Sequence, residues 1–163
     1  MTTSTHHHLA QINIARMAAP LDDPVMAGFV ARLADINALA DRSPGFIWRL
    51  QGDEGNATYL RPYGDERIII NMSVWESIEA LKEYVYKSDH SGVMRGRHQW
   101  FEKFDGDYLT LWRIKAGHIP TIAEAKARLD HLREHGPGPY AFNFKVTFAP
   151  KEDEPELQQE SAR

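Results

Sequence analysis

No cysteine occurs among the 163 residues. Disulfides, thiol nucleophiles and thiolate metal sites are thereby excluded, and a reducing, cytoplasmic setting is the expectation. No apolar run approaches the roughly 20 residues of a membrane-spanning helix, and the first residues lack the apolar stretch of a secretory leader. Positive charge is not in excess either: 19 Lys and Arg stand against 23 Asp and Glu, a net charge of −4. Residues 151–163 hold five of the acids and two of the bases, so the body is nearly neutral and has no basic stripe. Neither nucleic acid nor a membrane surface is an expected partner. There is no glycine-rich phosphate loop, no G-x-S-x-G elbow and no paired-carboxylate motif, which disfavours phosphoryl transfer, dinucleotide-dependent hydride transfer and serine hydrolysis.

What is present is an ordinary globular composition, 42% hydrophobic and 26% charged, in a chain long enough for one domain with a sizeable core. The expected organisation is a flexible N-terminus over residues 1–7, one domain over 8–149 and a disordered acidic tail over 150–163. The tail is polar, with one proline and one large apolar residue, too little to order itself. His6, His7 and His8 are adjacent and read as the polar start of the first strand.

Residues 9–15 alternate with period two and predict a strand, Ala10, Ile12 and Ile14 on one face and Leu9, Gln11 and Asn13 on the other. Asp23 and Pro24 open a helix that stops before Ser43-Pro44-Gly45. Residues 46–51 read as a second strand, 52–66 as a hairpin loop and 67–75 as a third strand, with Asn71, Ser73 and Trp75 on one of its faces. Ser77 caps a helix striped by Ile78, Leu81 and Val85, and a break is expected over residues 88–92. A short helix over 93–103, a fourth strand over 108–114, a helix with a Thr121/Glu124 capping box and a fifth strand over 141–148 complete the pattern. The order β-α-β-β-α-α-β-α-β is an α+β fold, a ferredoxin-like antiparallel sheet with helices on one face. A second face left bare would expose tryptophans and would be a dimerisation surface.

The segment VWESIEAL, residues 74–81, resembles the strand-to-helix turn of the dimeric α/β-barrel superfamily, which includes antibiotic-biosynthesis monooxygenases. Ser43-Pro44-Gly45-Phe46 resembles its short helix-to-strand turn. A longer pattern resembles a narrower bacterial group, the family of domain of unknown function 3291. It consists of His90, Arg95, Arg97, Trp100, Phe101, Leu111-Trp112, Gly117-His118-Ile119-Pro120-Thr121, Glu124-Ala125, Arg128-Leu129, Gly136-Pro137 and Ala141-Phe142. Together these cover about residues 8 to 149. The resemblance implies a homodimeric α/β barrel with a small-molecule pocket between sheet and helices in each subunit. Some monooxygenase relatives oxidise aromatic polyketides without a bound cofactor, using an asparagine and a tryptophan four apart on the third strand and an arginine further on. Asn71, Trp75 and Arg95 have that arrangement, whereas Leu81 stands where some relatives carry a tyrosine. Other superfamily members bind or degrade haem.

The candidate catalytic residues are therefore Asn71 for oxyanion stabilisation, His90 for proton transfer and Arg95 for a polar substrate group. Trp48, Trp75, Arg97, His98, Trp100 and Trp112 are candidate substrate-binding residues. Each has a plainer role open to it: Asn71 can satisfy a neighbouring backbone group, Arg97 can form an ion pair within an apolar helix face, and His98 can be a partly buried structural histidine. His131 and His135 are four apart on a helix but have no third ligand in the motif, so no metal site is assigned. The leading expectation is monooxygenase-like oxidation of an apolar or aromatic substrate without a cofactor. The rival is a non-catalytic protein holding haem or a small ligand through His90 or His98.

Overall fold

The computed structural model describes residues 6–51, 63–90, 97–103 and 106–150, with backbone only at 89 and 90. Strand β1 is His7–Met17 and helix α1 is Ala27–Asp41, entered through a 3-10 turn over Pro24–Met26. Asp23 caps that turn by accepting from the Val25 N–H at 2.9 Å, as its position before Pro24 predicts. Strands β2 (Phe46–Arg49) and β3 (Ile68–Trp75) follow, then helix α2 (Ile78–His90), the one-turn helix α3 (Arg97–Trp100) and the two-residue strand β4 (Phe101–Glu102). Strand β5 (Leu109–Lys115) and helix α4 (Ile122–His135) complete the regular elements.

The sheet is antiparallel, and β1 lies at its centre. It pairs along one side with β3, from Leu9 opposite Trp75 to Arg16 opposite Ile68. Along its other side it pairs first with β5 and then, at Arg16 and Met17, with β4. β2 is the outer neighbour of β3. The order β2-β3-β1-β5, with α1 and α2 as crossovers, is the ferredoxin-like arrangement.

Period two divides the sheet into two faces. On one, Ala10, Ile12, Ile14, Ile68, Ile70, Met72, Val74, Trp112 and Ile114 form a continuous apolar core. α4 lies on it through Ala125 and Leu129. Its start is fixed by the expected capping box: the Thr121 hydroxyl accepts from the Glu124 N–H at 3.1 Å, and the Glu124 carboxylate accepts from the Thr121 N–H at 3.4 Å. The expectation of helices on one face only is thus corrected, because α4 lies on the other face. α1 and α2 occupy the opposite face, over two smaller apolar clusters.

Three further expectations change. The helix beginning at Ile78 continues to His90 without a break at Ser88, whose hydroxyl donates to the Val85 carbonyl one turn back at 3.0 Å. The short helix spans only Arg97–Trp100 among the described residues and gives way to β4. The fifth strand over 141–148 does not form; Phe142 alone bridges to the sheet, exchanging two backbone hydrogen bonds with Leu111, while Ala141 bridges back to Gly138. The Asn143 side chain accepts from the N–H groups of Lys145 and Val146 and turns the chain away. Among the described residues no helix is long and apolar enough to cross a membrane.

Candidate functional site

Register brings four polar side chains together in the middle of the face that carries α1 and α2. Gln11 lies opposite Ser73 and Asn13 lies opposite Asn71. The Gln11 side-chain N–H2 donates to Asn71 Oδ1 and to Ser73 Oγ, both at 2.8 Å. The Asn13 N–H2 donates to Gln11 Oε1 at 3.0 Å and to Asn71 Oδ1 at 3.3 Å. The Trp75 indole N–H donates to Ser73 Oγ at 2.8 Å. Gln11 is 4% exposed and Ser73 is also buried, whereas Asn71 is exposed.

This polar row separates the two apolar clusters beneath the helices. At one end Leu9, Trp75, Leu111 and Phe142 pack under Ala40, Ile78 and Leu81. At the other, Met17 and Ile69 pack with Met26, Phe29 and Trp100. The two buried members, Gln11 and Ser73, would be costly between apolar flanks unless hydrogen-bonded, as they are here. Asn71 Oδ1 is the shared acceptor of Gln11 and Asn13, which leaves the Asn71 N–H2 on the solvent side of the row.

The expected site residues fall into three groups. Asn71 and Trp75 share a face of β3, joined through Ser73. Four residues along a strand amount to about 13 Å, so the two do not touch side by side. The Trp75 ring is 0% exposed, held edge-on by Phe46 at 5.4 Å and stacked by Tyr84 at 5.1 Å. It fills the interior beneath α2. Burial raises the Tyr84 hydroxyl above its usual pKa, so Tyr84 stays neutral there. Trp100 is also buried, tilted against Phe29 at 5.8 Å with Arg32 over its ring.

A second group lies elsewhere. Trp48 and Trp112 belong to the apolar face under α4 and are separated from Asn71 by the sheet. An irregularity between Phe46 and Trp48 places Phe46 on the Asn71 face and Trp48 on the other. The Trp112 indole donates to Glu124 at 2.9 Å. Arg97 and His98 are exposed on α3, so Arg97 is not a buried charge in an apolar stripe and His98 is not a partly buried histidine. The third group falls outside the described residues: Arg95 altogether, and the His90 side chain, whose backbone ends α2.

Gln11, Asn13 and Ser73 were not among the expected site residues. The signal was present in their shared period-two face, but linking them to Asn71 requires the β1–β3 register. His118 bonds Glu124 at 2.8 Å and braces the start of α4. Among the described residues no group of three or more His, Asp or Glu is arranged to hold a metal ion.

Residues 8–159 match the family described as Domain of unknown function (DUF3291), and the chain belongs to that family. No curated protein matches the chain. Similar solved structures include SnoaB, a cofactor-independent oxygenase from Streptomyces nogalater, at 14% identity over 69% of this chain and 95% of that one, TM-score 0.45. A putative antibiotic biosynthesis monooxygenase from Chloroflexus aurantiacus is 14% identical over 71% and 98%, TM-score 0.43. A Nitrosomonas europaea protein of unknown function is 11% identical over 72% and 98%, TM-score 0.45. Likenesses this distant do not assign an activity.

Proposed function

We propose that this member of the DUF3291 family is a small-molecule enzyme carrying out monooxygenase-like oxidation of an apolar or aromatic substrate at the open polar row. The observation that carries this reading is the Asn71 amide, whose oxygen is engaged by Gln11 and Asn13 while its N–H2 is left on the solvent side. A fixed N–H2 donor suits an oxygen that gains negative charge, such as the enolate or phenolate formed when an aromatic substrate loses a proton from a neighbouring carbon. That electron-rich carbon can then reduce O2. A methylene becomes a carbonyl, one oxygen atom enters the product and the other leaves as water with the two hydrogens, so no further reductant is needed.

His90 is proposed as the proton acceptor and Arg95 or Arg97 as a contact for a polar substrate group. Trp75 and Trp100 are proposed to shape the substrate site indirectly, as the buried filling of the two apolar clusters that flank the row. The homodimer implied by the superfamily resemblance belongs to the same proposal, with an interface outside the face that α4 covers.

The test uses anthrone, whose conversion to anthraquinone is followed by absorbance together with O2 uptake. Wild-type protein should accelerate it, and Asn71→Ala should lower the rate by about 10²–10³-fold while the far-ultraviolet circular dichroism stays unchanged. Full activity in Asn71→Ala, or a wild-type rate no faster than buffer, would sink the reading.

A further inference from the structure

Primary amides are reversible in shape, and a ring of them can be wired in two senses. In the sense found here Gln11 gives both of its N–H bonds inside the row, one to Asn71 Oδ1 and one to Ser73 Oγ. Asn13 reinforces this by giving its own N–H bonds to Gln11 Oε1 and Asn71 Oδ1. In the reversed sense Asn71 would give its N–H2 to Gln11 and Asn13 and turn its carbonyl to solvent. The two senses have the same shape and opposite polarity at the opening.

We infer that Gln11 is a positioning residue: by donating to Asn71 Oδ1 from a buried site on β1, it determines that Asn71 presents a donor and not an acceptor to whatever occupies the opening. This rests on the reading of Asn71 as the donor to a developing oxyanion and adds the residue that sets its direction. Gln11 suits the role because it is almost wholly enclosed. Its reach is fixed at its far side by Ser73, which the donor-only Trp75 indole anchors in turn. The ligand class this selects has an acceptor oxygen, ionised or carbonyl; a ligand offering only hydroxyl or amine hydrogens would meet the wrong face of the amide.

The test replaces Gln11 by its acceptor-only isostere. An ionised carboxylate in place of the Gln11 amide cannot donate to Asn71 Oδ1, so Gln11→Glu, measured at a pH high enough to ionise a buried carboxyl, should rotate the Asn71 N–H2 into the row. Asn13→Asp places an acceptor-only group at the half-exposed end of the same row, and serves if the buried substitution does not fold. The first readout is hydrogen exchange of side-chain amides by 15N nuclear magnetic resonance, with the Asn71 signal identified by its loss in Asn71→Ala. In the wild type the Asn71 N–H2 should exchange near the rate of a solvated asparagine and the Gln11 N–H2 at least tenfold more slowly. In either variant the Asn71 N–H2 should slow at least tenfold. A protected Asn71 N–H2 in the wild type, or no change in the variants, overturns the inference.

The second readout is anthrone oxidation. Gln11→Glu should lower kcat about as far as Asn71→Ala does, leave KM within threefold, and cause no further loss in the Asn71→Ala background. A Gln11→Glu loss that persists in that background marks a structural role and refutes positioning. If Asn71→Ala is costly and Gln11→Glu is not, positioning fails and the Asn71 reading stands. If Asn71→Ala costs nothing, the Asn71 reading itself fails.

Discussion

Leu129 is the side chain through which α4 holds the second face of the sheet, and replacing it by alanine gives a cost that can be worked out. It is 0% exposed and packs in the cluster that contains Ile12, Ile14, Trp112 and Ala125. Leu129→Ala removes three carbon groups from an apolar site, a transfer loss of about 2.4 kcal/mol at roughly 0.8 kcal/mol each. The floor is a hydrogen-bonded sheet set with β-branched side chains and an indole, which cannot collapse freely into the gap. A residual cavity of about 50 Å3 adds about 1.2 kcal/mol. The sum, about 3.6 kcal/mol, corresponds to a fall in Tm of about 7–14 °C for a domain of this size. Differential scanning calorimetry of Leu129→Ala beside Glu134→Ala, on the exposed side of the same helix, checks it. A Leu129→Ala shift under about 2 °C, or one no larger than that of Glu134→Ala, would mean that α4 does not seal the sheet.

Gly45 has φ +84, and a Cβ there would stand 2.5 Å from the Ala80 Cβ, so Gly45→Ala combines a left-handed backbone with a collision. It should cost about 2 kcal/mol or more in urea unfolding, and Ala80→Gly should restore part of the loss; a neutral Gly45→Ala would contradict the close approach of α2 to that turn. Burial pushes the Glu124 carboxyl up, but bonds from His118, the Trp112 indole and the Thr121 N–H outweigh it and hold its pKa below the usual 4.5. A carboxyl depressed in the folded state contributes stability that is full above about pH 4.5 and fades as pH falls through the folded value. Chemical denaturation from pH 6 down to pH 3 should therefore show a steeper acid loss for wild type than for Glu124→Gln, and parallel curves would refute the linkage.

The ferredoxin-like core was legible because its signals are local. Alternation over residues 68–75, the Asp23-Pro24 start, Ser77 before Ile78 and the Thr121/Glu124 box each mark an element within a few residues. What escaped depends on distant pairing. The stripe of Ala125, Leu129 and Leu132 shows that α4 has an apolar side, and nothing in it says which side of the sheet that side meets. Phe142, Phe144, Val146 and Phe148 alternate like a strand, yet one asparagine side chain, bonding the two N–H groups ahead of it, ends the pairing after Phe142 and leaves Val146 46% exposed. Asn71 could be picked out by its place on the third strand. Gln11, which binds it, lies 60 positions away and becomes its neighbour only once the strands are in register.

The central place of β1 has a bearing on how the chain is made. The strand finishes at Met17, but its two long partners are β3, beginning at Ile68, and β5, beginning at Leu109. A ribosome adding about 5–20 residues per second delivers Leu109, which pairs with Asn13, some 5–20 s after Asn13 itself. Until then Ala10, Ile12 and Ile14 lack at least one of the two strands they pack beside in the finished sheet. Sheet closure is therefore a late, long-range event, and the nascent chain carries a strand with an unsatisfied edge, the kind of segment that chaperones shield during synthesis.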